Sequence, residues 1–467
     1  MKILFHIFII YLFVSCTKKE INVNDFHAGL QYTFLKDGQM VTPVMLGFWK
    51  SIGNGYYLEA KRDSILLYSY TENFCYKEKN DYLEGLLNSQ SQFILCEDTL
   101  SIYLTDYGVK TKNLQSKKDF VRVERIPENC MGFLEMTQLN PSELFSLYME
   151  TIIENYAFSP ERNLDWNYIL ISYQDSISNT SYTEELFSIL GEVAALTKDH
   201  HTKVINENGR TLQYRGTPSA MLVQDAFNKQ SEVEDLNDYF NLFFETNAKN
   251  ITDSLLQGSG EKVANGNIEW GSLNKDLGYI KINSFAGFAP REYTRKQQID
   301  SVNFQMRKIL GVLAKKEAII IDIGFNFGGY DASGLTIANY FTDEPVLAYI
   351  QEVYNNGYFY CEDSITVEPE DSMNYTKPVY VFMTDISRSA AESFAMMMGA
   401  LPNVKLVGTS TLGILSGMLG KSIGDFYTTF SNQRLVSVNG EFYEVVGVKP
   451  DIELNVFRKE NVFQKIF

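Results

Sequence analysis

Ala318-Ile319-Ile320-Ile321-Asp322-Ile323 is too short for a helix and apolar at all but one position, and Val379-Tyr380-Val381-Phe382-Met383 repeats the pattern. A strand apolar on both sides must be covered on both, a property of parallel strands in α/β sheets. Each run is followed by a turn and then by a segment of helical period, near 331–341 and near 389–400. Lys405-Leu406-Val407-Gly408 supplies a further strand. Upstream, Gly278-Tyr279-Ile280-Lys281-Ile282 reads as a strand, and Val302, Met306, Ile309, Leu310 and Leu313 fall on one helical face. Strands alternating with helices imply parallel βαβ units whose chemistry sits at the strand C-termini. Residues 269–467 are therefore predicted to form an α/β unit.

The whole chain, at 467 residues, exceeds one compact core. Residues 27–128 show short β-like runs broken by Gly, Asn and Asp, including Tyr56–Ala60, Ser64–Tyr68, Gln92–Cys96 and Leu100–Leu104. This spacing predicts a small antiparallel barrel or sandwich. From 129 to 205 the period turns helical. Pro141-Ser142-Glu143 opens one helix, and Ser181 with Glu184 makes a capping-box pattern before a second, which points into Lys198-Asp199-His200-His201-Thr202. Residues 206–268 are polar and irregular, with one helical stretch near Leu236–Phe244 and no assigned role. A formal net charge of −17 disfavours nucleic acid as a partner.

The N-terminus reads as an export signal. Met1-Lys2 is a short basic segment, Ile3–Val14 is apolar but short for a bilayer span, and Ser15-Cys16 follows. This arrangement resembles the bacterial lipobox, in which cleavage exposes a cysteine that is then acylated. The expectation is a signal over 1–15, lipidation at Cys16, a tether over 16–26, and a protein anchored to the cell envelope facing the periplasm or the surface. Cys75, Cys96, Cys130 and Cys361 then remain in a disulfide-permissive compartment. A bridge in the N-terminal third, such as Cys75 to Cys130, is compatible with their placement, and sequence leaves the pairing open. No cysteine or histidine cluster has metal-ligand spacing, so neither a metal nor another cofactor is expected.

Three features could carry chemistry. Ser389 follows the strand ending at Met383 and opens the helix Ser389-Ala390-Ala391-Glu392, so it could be a nucleophile beside free backbone N–H groups or simply the helix cap. Of the four histidines, His6 leaves with the signal and His27 lies near the tether; His200 and His201 remain as a possible base or an exposed helix-end pair. Phe325-Asn326-Phe327-Gly328-Gly329 could be an anion-binding turn or a plain one, and no GK[ST] follows to make it a phosphate loop.

Taken together these segments resemble the C-terminal-processing peptidase superfamily, and within it the tricorn-type branch. Ala318–Gly329 looks like its "IIIDLRxNxGG" block, Thr384–Glu392 like its nucleophile block, Val407–Gly413 like its "VGxxTxG" strand, and Tyr443–Asp451 like its "YExxGVxPD" close. The superfamily's Ser-Lys branch has lysine 25 residues after the nucleophile, where this chain has Ile414; the nearest lysine is Lys421. The tricorn-type branch draws a histidine from a "DGHT" block, here Asp199-His200-His201-Thr202, and a glutamate from the closing block, here Glu444. Asn155-Tyr156-Ala157-Phe158 with Leu164-Asp165-Trp166 resembles a "YAFF…DW" pattern, with Ser159 in place of the second Phe.

The resemblance implies a crotonase-like (ββα) peptidase core and hydrolysis of peptide bonds in exported proteins or peptides. It implies Ser389 as nucleophile, His201 as base, and Glu444 orienting the base directly or through a neighbour such as His200. Amides of Ala390 and of Gly328 or Gly329 would form the oxyanion hole. The sequence departs from the pattern at Ile323-Gly324, where the family has arginine, and at His200, where the branch has Gly or Ser; no PDZ-like segment stands out over 206–268. A non-catalytic carrier built on the same fold is the competing class. An acyl-CoA enzyme is opposed by export to a compartment without CoA.

Overall fold

A computed structural model describes residues 45–454 except 63, 79–91, 97–98, 105–115, 179–183, 372 and most of 217–254. The expected signal and tether, Cys16 and His27 lie outside the described residues, as does most of the expected helix near 236–244.

The first unit is one seven-stranded antiparallel sheet. Its strands are β1 (Gly47–Ser51), β2 (Tyr56–Ala60), β3 (Ile65–Tyr70), β4 (Cys75–Lys77), β5 (Gln92–Cys96), β6 (Thr99–Leu104) and β7 (Ser116–Val123), in the order β4-β3-β2-β1-β7-β6-β5. Alternate residues of β2 and β3 are buried, the period-2 pattern of a sheet covered on one face. Trp49, Tyr56, Leu58, Leu67 and Phe120 make the buried side, and Leu419 from the C-terminal half joins them.

Helices α1 (Pro141–Asn155), α2 (Trp166–Ser178) and α3 (Glu184–Leu196) follow. Asn140 caps α1, accepting the Glu143 N–H at 3.0 Å, with Pro141 at the first helical position, where its missing N–H costs nothing. Leu144, Leu147, Tyr148 and Ile152 of α1 pack with Leu186, Leu190 and Val193 of α3. The cap expected at Ser181 lies outside the described residues.

After the short strands β8 (Lys203–Ile205) and β9 (Thr211–Gln213) comes the α/β unit. Its elements are β10 (Glu261–Val263), β11 (Ile268–Ser272), β12 (Leu277–Ile282), α4 (Arg295–Leu313), β13 (Ala318–Asp322), α5 (Asp331–Ala338), β14 (Val346–Asn355), β15 (Tyr358–Val367), β16 (Val379–Met383), α6 (Ala390–Gly399), β17 (Val404–Gly408), β18 (Met418–Ile423), β19 (Phe426–Ser431), β20 (Gln433–Ser437) and β21 (Ile452–Glu453). The central sheet runs β10-β11-β12-β13-β16-β17-β21, parallel from β12 onward. Every residue of β13 is buried: Ile319 and Ile321 enter the large core with α4, α5 and α6, while Ile320 faces Leu256 and Tyr279 on the other side. Two-sided cover is what the uninterrupted apolar run requires.

The segment between the first two core helices and β16 holds more structure than its sequence suggests. β14 and β15 form a long antiparallel hairpin joined at Asn356-Gly357, both with positive φ (46° and 88°). An Asn-Gly pair between β-rich runs is a recognised hairpin signal. β18 and β19 pair with β8 and β9 in a separate sheet, so the strand that follows His201 is tied to the C-terminal half.

Cys75 and Cys130 are joined by a disulfide across 55 positions of chain. Closing a loop of that size should stabilise the protein by about 3–4 kcal/mol in the chain-entropy picture. Cys75→Ser is therefore expected to lower the urea midpoint clearly, and dithiothreitol to do the same to the natural chain; equal midpoints with and without reductant would contradict the assignment.

Candidate active site

The site is assembled where β13 and β16 end side by side. Beyond them, Ser387 Oγ donates to the Ile323 carbonyl (2.8 Å), Thr384 Oγ1 donates to the Gly324 carbonyl, and the Arg388 N–H reaches the Asn326 carbonyl (3.2 Å). These bonds clamp the two loops that carry Gly328-Gly329 and Ser389.

Ser389 has φ 57° and ψ −126°. This is a region that L-residues other than glycine rarely occupy, and holding one there costs about 1–3 kcal/mol. The conformation is imposed from outside: the Ser389 N–H is held by the Ile414 carbonyl (3.0 Å) and by Glu392 Oε2 (3.1 Å). Glu392 is fully buried, and its two oxygens also accept from Thr411 Oγ1, Gly413 N–H and Ile414 N–H. The Ser389 hydroxyl makes no capping bond to α6. Of the two roles open from sequence, the cap is thus not the one its side chain fills.

Gly328 lies directly against the serine. A Cβ at Gly328 would sit 2.7 Å from Ser389 Cβ and 3.1 Å from the Ala390 nitrogen, and its φ of 98° already favours glycine. The two glycines, equivalent in sequence, differ in the fold. The Gly328 N–H is taken by Asn326 Oδ1 (2.8 Å), and its carbonyl accepts from Phe285 N–H (2.8 Å) and Ser284 Oγ (3.2 Å). Gly329 is exposed, and neither its N–H nor that of Ala390 has a protein acceptor among the described residues. Two free donors thus flank the hydroxyl.

His201 stands on the loop between α3 and β8. Lys198, at φ 52°, turns the chain after α3, and the Arg162 Nη1 holds its carbonyl (2.9 Å). Asp199 is 0% exposed; it accepts the His201 N–H (2.8 Å) and the Thr202 hydroxyl (3.3 Å), while Thr429 Oγ1 donates to the His201 carbonyl (2.5 Å). One edge of the His201 ring stays open, whereas its Nδ1 is sealed without a partner. Burial pushes its pKa down to about 4, opposed by the Asp199 charge and reinforced by Lys203, His200 and Arg388.

His200 is engaged differently. Arg388 Nη1 lies 3.1 Å from its Nδ1, and Gly216 C=O lies 3.0 Å from its Nε2. An arginine can only donate and a carbonyl can only accept, so Nδ1 is the acceptor and Nε2 carries the proton. Burial, with help from Arg388, holds this ring below the usual imidazole range. Both nitrogens are occupied, which removes His200 as a bridge between Glu444 and His201. The His200–Arg388 bond does bring the histidine loop against the residue before Ser389.

Glu444 is 4% exposed and accepts the N–H groups of Leu415 (2.7 Å) and Ser416 (3.0 Å) through Oε2. Its Oε1 lies 3.8 Å from Arg162 Nη2 and makes no hydrogen bond. Burial, then the Asp199 and Glu392 charges, raise its pKa well above the carboxylate range. Neither Glu444 nor the Ser389 hydroxyl is hydrogen-bonded to His201 in this structure. Sequence reading passed over Arg162, Glu392 and Arg388, although Glu392 completes a Ser-x-x-Glu pattern and Arg388 adjoins the serine. Beneath Arg162, Tyr156 packs edge-on against Phe158 and Trp166, and Ser159 Oγ accepts the Trp166 Nε1–H at 2.8 Å.

Residues 276–454 match the family model described as peptidase family S41. Carboxy-terminal processing protease CtpA of Bacillus subtilis (strain 168) is 26% identical over 181 residues, covering 38% of this chain and 35% of that protein. The chain thus spans about a third of that relative's length. The crystal structure of a candidate peptidase from Parabacteroides merdae ATCC 43184 aligns with TM-score 0.55 at 21% identity, over 70% of this chain and 93% of that one. That likeness establishes a shared fold, and the match to the family model falls on the α/β unit.

The imposed conformation of Ser389 makes a sign test possible. At an unstrained position Ala stabilises relative to Gly; here Ser389→Gly should be more stable than Ser389→Ala by about 1 kcal/mol, because only Gly accepts the backbone angles freely. Thermal unfolding of the two variants decides, and an Ala variant at least as stable as the Gly variant would remove the case for strain.

Proposed function

We propose that the protein is a serine peptidase that cleaves exported proteins or peptides, with Ser389 as nucleophile and His201 as general base. The observation that carries the proposal is Ser389 itself. A serine is held in a costly conformation at a helix start, its hydroxyl is released from capping, and two unengaged amides stand beside it. A carrier protein gains nothing from that cost.

In the proposed reaction Ser389 Oγ attacks the scissile carbonyl as the open edge of His201 takes the hydroxyl proton. The oxyanion forms between the Ala390 and Gly329 N–H groups, where such a donor contributes on the order of 10²–10³ in kcat. His201 then returns the proton to the leaving amine, and water repeats the cycle on the acyl-enzyme. Asp199 is the charge that most favours the imidazolium, so it supports the cation formed in the transition state. Glu444 acts one layer further out, anchoring the 414–416 loop whose Ile414 carbonyl positions the serine N–H. A crotonase-like core, the tricorn-type use of histidine in place of lysine, C-terminal processing, and tethering to the cell envelope through Cys16 complete the reading.

The unformed Ser389–His201 hydrogen bond is the observation that favours the carrier. A fluorophosphonate probe separates the two. The folded chain should label, with labelling lost in Ser389→Ala and reduced at least a hundredfold in His201→Ala; an unlabelled folded chain would establish the carrier instead.

The pH dependence follows from the lowered histidine. The base is active when neutral, and burial confines its protonated form to low pH. The labelling rate should therefore fall as pH drops through about 4 and stay flat from 5.5 to neutral. A midpoint near the ordinary imidazole value of about 6.5 would show that His201 is solvated in the working enzyme.

A further inference from the structure

Among the described residues Arg388 is a cation with no carboxylate partner at ion-pair distance, and it stands next to Ser389 in the chain. Its guanidinium carbon stacks 4.6 Å over the Phe327 ring, which is 50% exposed, and its Nη1 donates to His200 Nδ1. Among the described residues its remaining donors make no bond, and they are not sealed from solvent. Among the described residues no carboxylate lies within ion-pair distance of Arg388. The half-buried Arg434 has one in Glu352, and even the exposed Arg307 pairs with Glu370. The nearby Glu392 does not fill this role, since its oxygens are committed to Thr411 and three backbone N–H groups. A second cation, the exposed Arg215, is near enough for its charge to act on Arg388, and among the described residues it too has no carboxylate partner at ion-pair distance. Two like charges are thus gathered beside Ser389, and the Glu392 charge, which favours the Arg388 cation, offsets their cost only from a distance.

We propose that Arg388, assisted by Arg215 and backed by Phe327, is a specificity site that binds a carboxylate of the substrate next to the cleaved bond. The inference rests on the serine-peptidase reading and adds to it a substrate class: peptides with a carboxylate beside the scissile position. A guanidinium stacked on an aromatic face presents a planar fork of donors to a carboxylate in the bidentate manner that lysine cannot reproduce. The carboxylate could be an acidic side chain or the C-terminus of the peptide, and the two are distinguishable.

Binding is measured by fluorescence anisotropy on the Ser389→Ala chain, which separates recognition from hydrolysis. The probes are four end-labelled hexapeptides, carrying Glu or Gln at one position and ending in a free acid or an amide. The proposal expects the carboxylate-bearing peptide to bind on the order of tenfold tighter than its neutral match, as for a charge-assisted hydrogen bond. That preference should vanish in Ser389→Ala/Arg388→Met and invert toward the neutral match in Ser389→Ala/Arg388→Glu. A preference that follows Glu against Gln identifies a side chain; one that follows acid against amide identifies the C-terminus. Should Arg388→Met not fold, Arg215→Gln on the exposed side is expected to cut the preference about two- to threefold.

Equal binding of charged and neutral peptides overturns the proposal. So does a preference that survives Arg388→Met, or an equal loss for all four peptides, which would mark Arg388 as only a prop for His200. Fluorophosphonate labelling of the wild-type chain is read alongside. Labelling without carboxylate preference sinks this inference alone, whereas absent labelling sinks the peptidase reading beneath it.

Discussion

Two side-chain hydroxyls hold the site together. Thr384 and Ser387 reach from the loop after β16 to the carbonyls of Gly324 and Ile323 in the loop after β13. Parallel strands leave their C-terminal backbone groups without ladder partners, so loops at that edge drift apart unless something satisfies those groups. Here the satisfying groups come from the neighbouring loop, and pairing of the strands becomes pairing of the loops. Because Gly328 has no side chain, the clamp can close until one loop rests on Ser389 Cβ. The clamp, the Glu392 carboxylate and the Ile414 carbonyl together over-determine the serine backbone, which is the condition under which an unfavourable φ persists.

The parallel core was legible because its signal is local and redundant. β13 and β16 are apolar on both faces, and the helices between strands keep a clear period, so Ala318–Asp322, Val379–Met383 and Val404–Gly408 fall where the pattern puts them. The β14–β15 hairpin was not read, although its Asn356-Gly357 turn is a strong local cue, because the flanking Tyr-rich strands mix polar and apolar residues on both faces. Within the site, residue types were legible and their use was not. Nothing in Gly328-Gly329 says which amide Asn326 will claim, since that depends on an Asx-type turn set by a side chain two residues earlier. Likewise His200 and His201 are adjacent and chemically identical, and only Arg388, 188 positions away, decides which ring is tied.

The electrostatics of the site are dominated by buried carboxyl groups. Asp199, Glu392 and Glu444 are each buried, and after burial the Asp199 and Glu392 charges raise the proton affinity of Glu444. Burial pushes Glu392 up to about 7 although four donors point at it. Desolvation therefore outweighs hydrogen bonding there, the order expected when a charge is taken fully out of water. Arg162 is the cation placed among them, and its Nε and Nη2 remain without hydrogen-bond partners, so it answers the group as a charge more than as a donor. The Asp199 charge favours a protonated His201, so the low proton affinity of that ring means that burial outweighs the neighbouring carboxylate there as well.

The position of His201 depends on a part of the molecule that carries none of the candidate site residues. His201 is fixed through its carbonyl to Thr429 on β19, and β8, two residues further on, pairs with the same strand. β19 pairs in turn with β18, whose Lys421 is buried, donates to the Gly55 carbonyl of the N-terminal sheet (2.6 Å) and lies 3.4 Å over the Tyr56 ring. Glu78, just after β4 and near the Cys75–Cys130 bridge, accepts the Ser422 N–H (3.4 Å), and the Lys421 charge favours its ionised form against burial. The N-terminal sheet is thus docked through contacts it cannot easily exchange, onto the very strands that set the histidine loop. Its role in the molecule follows from that placement: it braces the His201 loop against a Ser389 that the α/β core positions independently.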